Sequence, residues 1–185
     1  STNEGATSLG YSTYHGGTSD DKAFDIAVYR DLTGATPVDR PHITGQTKSA
    51  DFPVDAAALQ AALSGTSDAF VTKIAFVEDN PTTASTNEGA TSLGYSTYHG
   101  GTGEESGQGI GMDSEGNAYI TGLTQSSDLT TTATAPQTKL DGGFLNSSQG
   151  GTGSDAFIAK ITDVPTANVK LTMTPSTVLA TPNSE

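Results

Sequence analysis

Short runs in which apolar residues alternate with small or polar ones recur along the chain, each bounded by Gly, Asp or Asn. Asp25–Tyr29 (DIAVY), Gly109–Met112 (GIGM) and Ala118–Thr124 (AYITGLT) carry the two-residue period of half-buried strands. Ser67–Ile74 (SDAFVTKI) and Ser154–Ile161 (SDAFIAKI) set Phe and Ile on one face, with Lys73 and Val71, or Lys160 and Ile158, on the other. Each predicts a strand buried well on one side and partly on the other. Leu9–His15 predicts a further strand, broken by Gly16-Gly17. Between Gly109–Met112 and Ala118–Thr124, Gly116-Asn117 tolerate positive φ and Asp113 can accept turn amides, which predicts a hairpin. The corresponding hairpin after Asp25–Tyr29 carries a longer loop, Arg30–Pro41. One stretch leaves this period. Val54–Leu63 (VDAAALQAAL) offers Asp55 as N-cap, Leu59 and Leu63 four apart, and a stop at Ser64-Gly65, so it predicts one short helix. Pro136 shortens any counterpart in Ala133–Leu140.

The strands belong to a repeat. Ser1–Thr18 (STNEGATSLGYSTYHGGT) recurs unchanged as Ser85–Thr102, and the copies diverge at the next residue. Ordinary drift does not leave eighteen residues untouched beside scrambled neighbours; recent duplication, gene conversion or a graft does. Ile43-Thr44-Gly45 and Ile120-Thr121-Gly122 also match. Each unit then offers four strands in order: the DAF-x-x-K-I strand, YSTYHGG, the I-A-V or I-G-M strand, and ITG. Four antiparallel strands per repeat with Gly- and Asp-rich turns make a propeller blade. The expected fold is therefore all-β, about two propeller-type blades with one short helix and a C-terminal strand. In this order Asp68–Thr124 is the single complete blade.

Tyr-Ser-Thr-Tyr-x-Gly-Gly, a following acidic loop, Gly-Ile-x-x-Asp-Ser-x-Gly-Asn-x-Tyr-x-Thr-Gly and Ser-Asp-Ala-Phe-x-x-Lys together resemble the bacterial β-propeller repeat family SBBP. The resemblance spans Tyr11–Thr162 and is closer in the second copy, because Asp-Ser-x-Gly-Asn is absent from the Arg30–Pro41 loop of the first. It implies a secreted or surface-exposed propeller module with no catalytic residues to carry over. Residues 1–163 are then blades whose copies start near 11 and 95. Residues 164–185 read as a linker followed by a strand, Asn168–Thr174. That strand opens an immunoglobulin-like module or serves as a strand-exchange tail.

Composition sharpens this. Apolar residues are only 33%, with 22 Gly and abundant Thr and Ser, which suits short strands and turns better than helices. The net charge of −13 disfavours nucleic acid and anionic membrane surfaces. With no Cys there are no disulfides, zinc thiolates or thiol nucleophiles. No run reaches the length of a membrane-spanning helix. Neither a signal peptide nor an initiating Met opens the chain, which reads as a mature or excised piece. The expected location is extracellular or the cell surface. Thr130–Thr134 would suit O-glycosylation, and Asn146-Ser147-Ser148 is an N-glycosylation sequon.

Candidate chemistry is sparse. Asp20, Asp21 and Asp25 in the first copy and Glu104 and Glu105 in the second are candidate Ca²⁺ ligands, since Ca²⁺ takes six to eight hard oxygens. The competing reading is an acidic turn that caps backbone amides. No cofactor is required on either. His15, His42 and His99 lack a paired carboxylate motif, the GGTG segments are not followed by Lys-Ser/Thr, and no G-x-S-x-G is present, so no enzymatic activity is expected. Tyr11, Tyr14, Tyr95 and Tyr98 fit packing between blades more simply than a sugar platform.

Counting raises the functional question. The chain starts with a strand that lacks its predecessor and ends its repeats with one that lacks its successor. Unpaired edges are templates for another chain. Residues Asp155, Phe157, Ile158 and Ile161 of one copy are therefore expected to pair with Tyr11, Ser12, Thr13 and Tyr14 of the next, giving a ring or a filament of identical subunits. The alternatives are closure by further blades of a longer array, and a ligand-binding propeller module, for glycan or protein, in a large adhesin.

Overall fold

The structure is a computed structural model that describes residues 11–34, 37–76, 91–141 and 153–162. Among these residues, seven antiparallel strands fall into two sheets. Sheet A has the order β1(Asp21–Asp31), β2(Val38–Thr47), β3(Asp68–Phe76), β4(Thr91–His99). Sheet B has β5(Glu105–Met112), β6(Ala118–Thr124), β7(Asp155–Ile161). The all-β, blade-like architecture read from the sequence is present.

Two expectations are corrected. The complete four-stranded sheet is Asp21–His99, not Asp68–Thr124. The strand containing YSTYH closes a sheet rather than joining the one that follows. The cause is Gly100–Gly103, a corner at which β4 ends and the chain steps across to β5. The second correction is the helix, because Val54–Leu63 forms only turns. Asp55 does cap: its Oδ1 accepts the Ala57 N–H at 2.8 Å and its carbonyl the Ala58 N–H at 3.1 Å. The helix goes no further, because the outer edge of β4 competes for the same backbone. The Asp55 N–H donates to Ser96 O at 2.9 Å, and Gln60 O accepts the Tyr98 N–H at 3.2 Å. A ten-residue helix is marginal in water, so pairing an otherwise bare strand edge outweighs it. The counterpart at 133–140 is likewise irregular, with one turn from the Ala135 N–H to Thr132 O.

The first hairpin is more regular than its sequence. β1 and β2 stay in register through Arg30↔Asp39 and Asp31↔Val38, so Pro41 lies inside a strand, opposite Val28. Ion pairs Arg30–Asp39 (3.1 Å) and Arg40–Asp31 (2.8 Å) hold the stem. In the second hairpin, Asp113 accepts the amides of Glu115 and Asn117 and the Asn117 carboxamide, while Gly116 takes φ +85° as the turn requires. These bonds and Lys160, at 3.1 Å, hold the Asp113 carboxyl well below the usual carboxylate range.

The main core lies between the sheets. Ala69 and Val71 of β3 pack on Ala118, Ile120, Phe157 and Ile161 of sheet B, with Ile110 and Met112 against them. A smaller core of Phe52, Phe70 and Tyr98 fills the opposite face of sheet A. The predicted N-terminal strand does not form over its described part: residues 11–17 carry no regular secondary structure and join neither sheet among the described residues. The tail beyond 162, the Asn146 sequon and residues 1–10 lie outside the described residues.

Candidate assembly interface

The repeat reappears in the hydrogen bonds, corner by corner. The Gly17 N–H donates to Asp21 Oδ2 and the Gly101 N–H to Glu105 Oε2, both at 2.8 Å. Thr18 gives its N–H and Oγ1–H to Asp51 Oδ1, and Thr102 gives the same pair to Asp128 Oδ1. Thr47 Oγ1 donates to Asp21 Oδ1, and Thr124 Oγ1 to Glu105 Oε1. Each Gly-Gly-Thr corner is thus clasped by an acidic residue that opens the next sheet and by a T-x-S-x-D segment after that sheet's second strand.

These clasps occupy two of the five candidate Ca²⁺ ligands. Asp21 and Glu105 spend their oxygens on amides and hydroxyls, with Glu105 fully buried. Asp25 bridges the sheets: Oδ1 takes the Ile26 N–H at 2.8 Å and Oδ2 the Ile110 N–H at 2.9 Å. Glu104 Oε1 accepts Thr66 Oγ1–H at 3.1 Å, and Asp20 offers its main-chain carbonyl to the Lys48 N–H. No group of three or more His, Asp or Glu converges on a metal position among the described residues. The clasp partners Thr47, Ser49 and Asp51, and Thr124, Ser126 and Asp128, were not singled out by sequence reasoning. Aligning ITGQTKSAD with ITGLTQSSD would have found them.

His15 and His99 also occupy matching places. His15 meets the rings of Phe52 and Phe70 at 4.6 and 6.0 Å, and His99 meets Phe157 at 5.3 Å. Burial pushes both imidazoles below their ordinary pKa, offset in part by Asp21 and by Glu105 respectively. His15 Nε2 is 2.8 Å from Thr72 Oγ1, which is 2.9 Å from Ser96 Oγ, which donates to Pro53 O at 2.7 Å. With the Ser96 proton committed to Pro53, Thr72 donates to Ser96 and neutral His15 donates through Nε2. His42 is buried in β2, its Nδ1 3.0 Å from Arg40 O.

The tyrosines break the symmetry. Tyr98 is buried between Phe52 and Phe70, donates to Ser49 O at 2.7 Å and accepts the Phe52 N–H at 3.2 Å. Its counterpart Tyr14, in the same eighteen-residue sequence, is fully exposed. The places that would match Tyr98's surroundings in sheet B are Ser126, Leu129, Gln137 and Phe157. They line a cavity of about 700 Å³ beside β7. Gln137 is set as Gln60 is: Gln60 Nε2 bonds Ala62 O and Asp68 Oδ2, and Gln137 Nε2 bonds Lys139 O and Asp155 Oδ2. Within the described residues β7 pairs only with β6. Among the described residues the candidate interface residues therefore split into an edge strand (Asp155, Phe157, Ile158, Ile161) and a segment that joins neither sheet (Tyr11, Ser12, Thr13, Tyr14).

Residues 94–130 match the family model SBBP, described as a beta-propeller repeat. The matched span runs from the end of sheet A, through the second corner, to the segment after β6. No curated protein and no solved structure matches the chain.

Proposed function

We propose that the chain, a carrier of β-propeller repeat sequence, is a structural module that assembles by lending residues 11–17 to sheet B of another copy. The observation that carries this is Tyr14, an exposed aromatic ring whose identical counterpart Tyr98 fills a pocket of sheet A. The cavity beside β7 has matching residues at the matching places. Carrying the β3–β4 register across sets His15 opposite Ala156, Tyr14 opposite Phe157, Thr13 opposite Ile158 and Tyr11 opposite Lys160. The lender keeps hold of the same segment through His15 on Phe52 and Phe70 and through the Gly17–Asp21 clasp. One segment can thus serve two molecules. The contact is head-to-tail, so the copies close into a ring or run on as a filament, depending on the rotation per step. The acidic, Cys-free, Thr- and Ser-rich composition supports a secreted or cell-surface setting.

Light scattering and electron microscopy of the 185-residue chain test the reading. Oligomers that fall to monomer when Ser1–Thr18 is deleted, and that soluble STNEGATSLGYSTYHGGT peptide competes away, are the expected result. A soluble, strand-rich monomer at every concentration would sink it.

A further inference from the structure

We infer that neighbouring copies also meet face to face, the outer face of sheet B packing on the outer face of the next copy's sheet A as the two sheets pack inside one chain. The inference rests on the strand-lending reading and specifies the surface that accompanies it. Inside the chain, Val71 on the inner face of sheet A is fully buried, and Ile110 and Met112 of β5 pack into the same seam. Each has a repeat counterpart on an outer face. Ile158 stands where Val71 stands and is 82% exposed; Ile26 and Val28 stand where Ile110 and Met112 stand and are 59% and 57% exposed. Tyr119 and Leu123 share the face of Ile158, because Thr121 lies opposite Ile158 and Leu123 opposite Ala156. Ile26 lies opposite Ile43 and Val28 opposite Pro41, so these too form one apolar patch. The two patches are halves of a seam that the molecule already builds once. Ile158 belongs to β7 itself, and Ile43, opposite Ile26, packs on the Phe52–Phe70 pair that His15 meets, so a second copy that docks its strand brings its patch along.

Two departures from the internal seam define the contact further. The Ile110 N–H needs Asp25 Oδ2 from across the seam, and Gly109 offers no such carboxylate at the equivalent place; the Ile26 N–H is already satisfied by Asp25 Oδ1, so no amide is stranded. Steric fit differs more. At Gly107 an added Cβ would run into Thr44 Oγ1, so the absence of a side chain sets the close approach of β5 to β2. The equivalent pair between copies is Ala23 and Thr121, whose Oγ1 donates to Phe157 O as Thr44 Oγ1 donates to Phe70 O. The Ala23 methyl therefore keeps the intermolecular seam looser than the internal one. Loosening of this kind suits subunits that exchange.

Sedimentation of the full chain over a dilution series separates the possibilities. Ile158→Glu, at a position exposed in the single chain, is expected to weaken self-association at least roughly tenfold with unchanged circular dichroism of the dilute protein. Ala23→Gly is expected to tighten association severalfold. If Ile158→Glu leaves association intact while deletion of Ser1–Thr18 abolishes it, the face-to-face contact is wrong and strand lending stands. If the deletion leaves association intact, strand lending itself fails. Weaker association of Ala23→Gly would overturn the steric part of the argument.

Discussion

The hydroxyl of Tyr98 donates to the main-chain carbonyl of Ser49 at 2.7 Å, tying the last strand of sheet A to the segment that clasps its first corner. The same oxygen accepts the Phe52 amide, so one phenol satisfies two buried backbone groups. Tyr98→Phe would take the phenol from both, leaving the longer bond from the Phe52 N–H to Ser49 O at 3.3 Å, and is expected to cost about 1 kcal/mol, read by urea denaturation of the dilute protein. Tyr14→Phe alters an exposed ring, and the dilute chain should change by less than about 0.5 kcal/mol. Equal effects would mean that the two tyrosines share one environment, contrary to their burial.

The two imidazoles, each set edge-on against phenylalanine, give stability a pH slope with a definite sign. His15 and His99 have folded-state pKa values below the ordinary 6.5, so the unfolded chain binds more protons once pH falls past that value. Their contribution is complete above about pH 6.5 and is lost as pH drops through the window below it. Asp68 works the other way. Burial, first, and the Glu105 carboxylate raise its pKa above 3.8, so its contribution falls as pH rises from 3.8 toward that higher value. Melting temperatures of the dilute chain between pH 8 and 5 should decline toward acid. In the double variant His15→Phe, His99→Phe the decline should be shallower. Superimposable curves would rule out the imidazoles as its source.

Glycines in the second strand of each sheet should differ sharply from glycines nearby. At Gly122 an added Cβ would overlap the Ser106 carbonyl, and at Gly45 the Lys22 carbonyl, where β5 and β1 bulge toward their partners. Backbone cannot rotate away as a side chain can, so Gly122→Ala is expected to cost about 3 kcal/mol or more. At Gly111 a Cβ meets nothing within 4 Å, and Gly111→Ala should stabilise by about 0.5–1 kcal/mol through backbone entropy. Thermal melts of the two variants check this directly; similar values would mean that the bulges relax freely.

Much of the fold is legible in the chain because its local signals are strong. Asp113–Asn117 has a turn whose backbone amides are satisfied locally by Asp113, and it forms as read. The DAF-x-x-K-I strands and the ITG motifs also stand where alternation places them. Failures occur where a distant partner decides. Nothing local in VDAAALQAAL reveals that Ser96 and Tyr98 will take its backbone, and nothing local in YSTYHGG tells which side of the corner closes a sheet. The acidic positions were visible, as was amide capping as one of two readings, but the distant hydroxyl partners Thr47 and Thr124 were not. Asp21 and Glu105 read either as Ca²⁺ ligands or as turn residues that cap backbone amides, and the structure gives their oxygens to Gly17, Thr47, Gly101 and Thr124.

The stem of the first hairpin has one more implication. Arg30–Asp39 and Arg40–Asp31 clamp β1 to β2, whereas the second copy finishes the same turn with Asp113–Asn117, braced by Lys160 of β7. Both solutions leave the strands in register, and both clasps sit elsewhere in the sequence. The tip beyond Asp31 is therefore a cargo position. Sequence can be lengthened, shortened or exchanged there for a peptide epitope, and the chain would display it without any change to the Gly-Gly-Thr corners or to the β7 edge that the proposed assembly uses.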